Sequence, residues 1–279
     1  MEGRRNPLAG RPPQAAAGSG EEPNGERHGD GHRHGDPQRR HGTGEDAAAL
    51  LRAGRDGDRP GVLARLEARP ELARVADPGS GMTPLHQAAR HGWPDVTRRL
   101  LALGADPNAR NRWRLVPLHY AARFGHPAVA RILLDRGADP GAVAAGGQTP
   151  LDWAIVFDRP AVVEVLLERG APVGAFAAAG LGDVGRLQEY LDRDPGWLVA
   201  RNEWGGTLLH VAALAGRREA VALLLARGAD PAARDARGRT PRDHAREPAI
   251  RALLERAEAA RGGRGVGPAP GSRPGGEGR

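Results

Sequence analysis

The sequence repeats one pattern of apolar and polar positions at a fixed spacing. Residues 83–92 read TPLHQAARHG and residues 116–125 read VPLHYAARFG, an offset of 33 (116 − 83). In the first copy, the apolar side chains of Leu85, Ala88 and Ala89 recur at helical spacing. The pattern therefore predicts a short α-helix with one narrow apolar face.

Cap and turn residues bound this helix on both sides. Thr83 is placed as the N-cap, where its hydroxyl can accept from a free amide of the first turn, and Pro84 suits the first helical position. Gly92 is a typical helix stop. A second apolar pattern follows and ends at Gly104, so each copy is predicted to be a pair of short helices.

The same unit returns along the chain. Pro84, Pro117 and Pro150 are 33 residues apart, and Leu208 and Pro241 are again 33 apart. Two degenerate units, 46–81 and 174–206, share a shape, and each leads into a well-formed unit, which suggests an internal duplication. Because two short helices with an exposed apolar face are not stable alone, stacked copies that bury each other's faces predict a solenoid.

These units resemble ankyrin repeats, a family with a 33-residue period and a T-P-L-H-x-A motif. The matching text includes GMTPLHQAARHGWPDVTRRLLALGADPNAR and GGTLLHVAALAGRREAVALLLARGADPAARD. The resemblance implies an all-α solenoid of stacked helix–turn–helix units over residues 45–259. The predicted units are 45–80, 81–113, 114–146, 147–173, 174–204, 205–237 and 238–259.

The third well-formed unit is short, because the finger loop after GAPVGAF is missing. A kink in the solenoid is therefore predicted near residues 170–182.

The two ends of the chain lack hydrophobic periodicity. Residues 1–44 are rich in His, Gly and Arg, and residues 260–279 in Gly and Arg, so both are predicted to be disordered tails. The first tail holds four histidines that could bind a divalent metal loosely, although a solvated tail explains them as well: His28, His32, His34 and His41. The RGGRG of the second tail resembles nucleic-acid-binding tails, and association with nucleic acid is the alternative function.

Charge gives this alternative little support. The formal net charge is +7, and all 41 basic residues are Arg, which is typical of a GC-rich, bacterial genome. Residues 45–259 carry about +3 (30 − 27), a modest value for a nucleic-acid binder. No apolar run approaches the ~20 residues of a membrane-spanning helix. The start lacks the ~7–15 apolar residues of a signal peptide. A cytoplasmic protein without membrane contact is expected.

Catalysis is not predicted. The chain has no cysteine and no lysine, and its three serines, Ser19, Ser80 and Ser272, lie in Gly-rich stretches. It has no phosphate-binding loop, no H-E-x-x-H and no dinucleotide fingerprint. We therefore expect no catalytic residue, cofactor, metal site or small-molecule substrate.

The histidines of the repeated motif are interpreted as structural. The resemblance implies that His86, His119 and His210 form hydrogen bonds between neighbouring turns. Asp152 and Asp243 replace this histidine in two units, which a catalytic or metal-binding role would not explain.

The candidate binding site lies where the repeats depart from their pattern. The resemblance puts a glycine with positive φ at position 114, but Arg114 stands there after Arg112 and Trp113. Trp and Arg are enriched at binding hot spots. Variable positions on the first helices add Tyr120, Arg123, Phe124, Trp153 and Phe157.

The family places these positions in a concave groove beside the fingers. Packing between repeats is the alternative for Phe124, Trp153 and Phe157, and it applies to Trp113 as well. The predicted function is a non-catalytic scaffold that binds another protein.

Overall fold

The computed structural model describes residues 37–262, with side chains from 44 to 261. The regular structure in this part of the chain is helical, without a strand, as the sequence predicts. Fourteen α-helices lie within it: α1 Pro37–Asp56, α2 Arg59–Ala68, α3 Pro84–His91, α4 Pro94–Ala102, α5 Pro117–Phe124, α6 Pro127–Asp135, α7 Pro150–Val156, α8 Pro160–Glu168, α9 Ala175–Leu181, α10 Val184–Arg193, α11 Leu208–Leu214, α12 Arg218–Ala226, α13 Pro241–His244 and α14 Pro248–Gly262.

The helices form two compact units. The first contains α1 to α8, where α1, α3, α5 and α7 pack in order as one layer and α2, α4, α6 and α8 as another. The second contains α9 to α14 and has the same two layers. The main division falls between Ala171 and Pro172, inside the segment 170–182, and Gly146–Gln148 also group with the second unit. The kink expected there stays a prediction.

Helix caps follow the sequence pattern. The Thr83 side chain accepts from the backbone N–H of His86, and Pro84 is the first residue of α3. Gly92 ends the helix in the left-handed region, with φ of 71°. These local features fix where each short helix begins and ends.

The interior is built mainly from leucine and alanine. Each layer of the first unit contributes leucines with no exposed surface, among them Leu85, Leu100, Leu118 and Leu133. Burying one such side chain stabilises the fold by roughly 1.5–3 kcal/mol. Ala88 is also fully buried, and its small side chain leaves little bulk between neighbouring helices.

The two degenerate units share a local structure. Each has a second helix whose N-cap aspartate, Asp58 or Asp183, accepts from a backbone N–H three residues on. In each, a 3-10 helix then follows, at Pro70–Arg74 and Pro195–Leu198. Their likeness in sequence thus extends to structure.

The terminal helices extend beyond the predicted ends of the repeat domain. Helix α1 begins at Pro37 rather than at 45, because a helix that is anchored further along by Leu50 propagates at little cost over preceding residues. Helix α14 ends at Gly262 rather than 259. Most of both predicted tails, including the four tail histidine side chains, lies outside the described residues. Among residues 37–262, none of the helices combines the length and apolarity needed to cross a membrane.

The motif histidines connect consecutive repeats. Nδ1 of His86 accepts from the backbone N–H of Thr83 (3.1 Å), and Nε2 lies 3.0 Å from the carbonyl oxygen of Leu115 in the next repeat. His210 makes the same pair of bonds, to Thr207 and Arg239. The structural role predicted for these two side chains is confirmed.

Where aspartate replaces the motif histidine, it makes the hydrogen bond to the helix N-cap of its own repeat. Asp152 accepts from the backbone N–H of Thr149 (2.9 Å), and Asp243 accepts from that of Thr240 (2.7 Å). Both therefore cap their helices from the histidine position.

We predict that stability falls as the pH drops below about 6.5. Burial lowers the pKa of His86 and of His210 from 6.5 to about 4. Between these two pH values the unfolded chain therefore binds more protons than the folded chain. As the pH falls from 6.5 to about 4, each of the two histidines lowers the free energy of unfolding by up to about 3 kcal/mol. Urea unfolding measured from pH 7.5 to pH 4 checks this. A His86→Asn variant should show a shallower pH slope, and an unchanged free energy of unfolding across the range would contradict the prediction.

Candidate partner-binding site

The eight candidate residues lie in the first unit, in two groups at opposite ends of α5. The finger group consists of three residues of the loop before α5 and one residue on helix α5 itself: Arg112, Trp113, Arg114 and Tyr120. The arginine–aromatic group joins the end of α5 to α7: Arg123, Phe124, Trp153 and Phe157.

One buried amide organises the finger loop. Oδ1 of Asn111 accepts from the backbone N–H groups of Trp113 and Leu115, both at 3.0 Å. Its Nδ2 donates to the hydroxyl of Tyr120 (3.0 Å). Asn111 is only 4% exposed, so these bonds are shielded from water. The loop is thereby fixed in shape and tied to α5.

The finger presents a tryptophan beside an arginine. The guanidinium carbon of Arg112 lies 5.1 Å from the centre of the Trp113 ring, a cation–π distance. Trp113 is half-buried and Arg112 is exposed. Backbone bonds hold the loop on both sides: Arg112 donates to Ser80, and Ala145 donates to the carbonyl of Trp113. The tip is therefore displayed on a fixed backbone.

Arg114 occupies a backbone conformation that glycine holds in the other fingers. Its φ is 59°, and the equivalent glycines, such as Gly81 (70°) and Gly147 (86°), are also positive. The expected positive φ is confirmed. For a residue with a Cβ, this region costs roughly 1–2 kcal/mol. Strain of this kind often marks functional positions.

Tyr120 links the finger to the preceding repeat. Its ring meets that of His86 edge-on, with centroids 5.6 Å apart. Burial raises the pKa of the phenol, so the hydroxyl keeps its proton near neutral pH. Tyr120 is thus a support that is partly accessible, rather than a protruding side chain.

The arginine–aromatic group surrounds one guanidinium with three rings. The guanidinium carbon of Arg123 lies 4.6 Å from the ring centre of Phe157, 5.5 Å from that of Trp153 and 5.7 Å from that of Phe124. Phe124 is 38% exposed and also lies 5.9 Å from the guanidinium of Arg90. This ring is therefore the accessible part of the group.

Two members of this group are interior side chains. Trp153 is 3% exposed and Phe157 is 2% exposed, with ring centres 6.0 Å apart. Their expected role as direct partner contacts is corrected, since helix packing covers both rings. Packing between repeats, the alternative interpretation, describes them, and they form the base on which Arg123 lies.

Two models of protein families match this chain. A family model described as ankyrin repeats in three copies matches residues 50–144 and 117–177. A second, described as ankyrin repeats in many copies, matches residues 190–245. The matched segments together span more than half of the chain. The chain belongs to the ankyrin-repeat family. Ankyrin repeats are in general protein-interaction modules.

The similar curated proteins share only a few ankyrin repeats with this chain. The Arabidopsis thaliana "Serine/threonine-protein kinase VIK" is 46% identical over 57 residues, 20% of this chain and 13% of that protein. The rice "Probable E3 ubiquitin-protein ligase XBOS33" is 41% identical over 70 residues (25% and 14%). The mouse "2-5A-dependent ribonuclease" is 45% identical over 60 residues (22% and 8%). The chain thus matches 8–14% of each of these relatives, and their activities are not assigned to it.

Asn111, which shapes the finger loop, is the residue of the candidate site that sequence reasoning missed. The signal was a recurring N-x-W at 111–113 and 202–204. In the second copy, Oδ1 of Asn202 likewise accepts from the backbone N–H groups of Trp204 and Gly206. Two ankyrin fingers therefore use the same amide to shape the loop.

We predict that Asn111→Ala lowers the free energy of unfolding by about 2–4 kcal/mol, because two buried N–H groups lose their acceptor. Asn111→Asp should cost less, since Asp235 accepts from two N–H groups in the same way in the last finger. Chemical unfolding of the three proteins checks this. Equal losses in the two variants would show that the acceptor is not the cause.

We predict opposite effects for a glycine–arginine exchange at two fingers. Arg114→Gly should raise the free energy of unfolding by about 1 kcal/mol, because the strain at positive φ is relieved. Gly147→Arg should lower it by a similar amount, since nothing lies within 4 Å of a Cβ there and strain is the main change. Thermal unfolding of the single variants measures both. A lower melting temperature for Arg114→Gly would contradict the assignment of strain.

Proposed function

We propose that this ankyrin-repeat protein is a non-catalytic scaffold that binds a partner protein through the finger group and the exposed edge of the arginine–aromatic group. Trp113, Arg112 and Arg114 supply contacts at one end of α5, and Phe124 and Arg123 at the other. Tyr120 supports the finger from α5, and Trp153 and Phe157 support Arg123 from beneath.

The observation that carries this proposal is the strained, aromatic finger. Arg114 keeps a conformation that glycine would hold at lower cost, and the loop displays Trp113 against the guanidinium of Arg112. A stability requirement alone favours glycine at this position. Binding explains the departure, because Trp and Arg are the side chains most enriched among hot spots.

The rigidity of the surface supports the same proposal. The backbone of the finger is bonded on both sides, and the Asn111 amide holds its interior. The guanidinium of Arg123 is stacked against rings rather than extended into solvent. A surface held in this way loses little conformational entropy when a partner binds.

The test is the affinity of an identified partner for a surface variant. Proteins captured from a lysate by the full chain would be identified by mass spectrometry, purified and titrated by calorimetry. Trp113→Ala combined with Phe124→Ala should weaken binding at least about tenfold, as expected when hot-spot side chains are truncated. Circular dichroism would confirm that the variant is folded.

A matched control is available in the same unit. Trp93 is also half-buried, and its ring stacks on His91 (4.7 Å), which is a member of neither group. Trp93→Ala should leave the affinity unchanged. If Trp93→Ala weakens binding and the double variant does not, the proposed surface is wrong. If the chain enriches only nucleic acid, the scaffold function is wrong.

A further inference from the structure

A cavity of about 250 Å³ opens beside the proposed surface in the first unit. It lies between the end of α1, helix α3 and the loop 77–82. Leu51 and Met82 give it apolar walls, and the carboxamide of Gln87 lines it. Pockets for drug-sized ligands are generally larger, at about 300–1,000 Å³. This cavity therefore fits a single side chain with its adjoining peptide group.

Gln87 is incompletely bonded in the described structure. It is 6% exposed, and Oε1 is buried without a hydrogen-bond partner. Its Nε2 faces only the sulfur of Met82, at 4.0 Å. A buried acceptor without a donor is costly, and thioether sulfur is a weak acceptor. Because the Met82 side chain is unbranched and adaptable, a small shift would let a ligand N–H reach the amide.

Two arginines flank the opening. Arg55 and Arg90 both line the cavity and are exposed. Neither forms an ion pair within 4.0 Å with an acidic group of the described residues, although Arg55 is close enough to Asp77 to help lower the pKa of that carboxyl. Arg90 also lies against Phe124, so the cavity adjoins the arginine–aromatic group. Two guanidinium groups at one opening favour a carboxylate, which can accept two parallel bonds from one of them.

The acidic group in the wall is already engaged. Oδ1 of Asp77 accepts from the backbone N–H groups of Gly79 (3.1 Å) and Ser80 (2.8 Å) and from the Ser80 hydroxyl (2.8 Å). These bonds hold the pKa of Asp77 below its ordinary value, so the group is charged at neutral pH. The one negative charge of Asp77 therefore faces the two positive charges of Arg55 and Arg90, and a second carboxylate would balance the charge at the opening.

We infer that this cavity is an anchor site for one Asp or Glu side chain of the partner protein. The carboxylate lies between Arg55 and Arg90, and the peptide N–H of the same residue faces Gln87. A neighbouring apolar residue of the partner then contacts Phe124. The inference rests on the proposed function, and it adds the chemistry of the recognised segment.

The wall disfavours a phosphate in this position. A phosphate monoester carries close to two negative charges at neutral pH, and Asp77 already places one carboxylate at the cavity. The apolar walls of Leu51 and Met82 also suit the methylene groups of an acidic side chain. A carboxylate on a peptide therefore fits better than the backbone of a nucleic acid.

The test is a selection of displayed 12-residue peptides on the immobilised full chain. The wild type should enrich Asp and Glu several-fold over the input library, beside an apolar residue. A labelled copy of the most enriched peptide, titrated by fluorescence anisotropy, should bind the Arg55→Gln, Arg90→Gln double variant about tenfold to a hundredfold more weakly. Replacing its acidic residue by the matching amide should have the same effect.

The control carries the same charge change in the other layer. Arg98 and Arg99 are exposed on α4, and the Arg98→Gln, Arg99→Gln variant should bind the peptide like the wild type. If both double variants lose the same affinity for the peptide, the loss is caused by the change in net charge alone, and the inference is overturned. Selection without acidic enrichment, or equal competition by a 12-nucleotide single strand, would also overturn it.

Gln87→Leu gives a second readout. The melting temperature should stay the same or rise, because a buried unpaired acceptor is removed, while the peptide binds about tenfold more weakly. Unchanged affinity would overturn the role of the amide.

Trp113→Ala with Phe124→Ala separates this site from the proposed function. If that variant loses the peptide but the Arg55, Arg90 variant keeps it, the anchor is wrong and the proposed surface stands. The reverse pattern supports the acidic anchor and rejects both the proposed surface and the contact with Phe124.

Discussion

The whole structure depends on the fact that its helices are too short to stand alone. Most contain seven to ten residues, and isolated helices below about 12–15 residues are marginal in water. Within each compact unit, a short helix is stable because its narrow apolar face is covered by the equivalent helix of the neighbouring repeat. Leucines such as Leu85 and Leu118, which have no exposed surface, form this contact between helices. The stacking therefore sustains the local structure, as well as being produced by it.

The candidate surface inherits its order from this stacking. Helix α5 lies between α3 and α7, and its side chains reach both: Tyr120 meets His86 on one side, and Arg123 meets Trp153 on the other. A surface assembled from three repeats would be loose if the repeats moved independently. The bond from His86 to the carbonyl of Leu115 joins the first two of them through the interior.

The sequence predicted what a single repeat determines and missed what adjoining repeats determine. The cap at Thr83 and the positive φ of Arg114 are local, and both could be recognised from the 33-residue spacing. The spacing also identifies equivalent residues, but it does not say how deep each one lies. Trp153 and Phe157 are buried, and Arg123 of the preceding repeat lies against both rings. The cavity at Gln87 forms only where α1, α3 and a loop meet.

The single backbone bond between neighbouring fingers has an evolutionary consequence. Ala145 donates to the carbonyl of Trp113, and Ala236 donates to that of Trp204, so each contact uses only main-chain atoms. These main-chain bonds do not depend on which side chains stand at the tips, although the guanidinium of Arg112 adds a bond to the carbonyl of Gly79 in the preceding finger. The tip side chains of one finger can therefore change while the backbone bonds between fingers persist, so partner specificity can evolve one finger at a time.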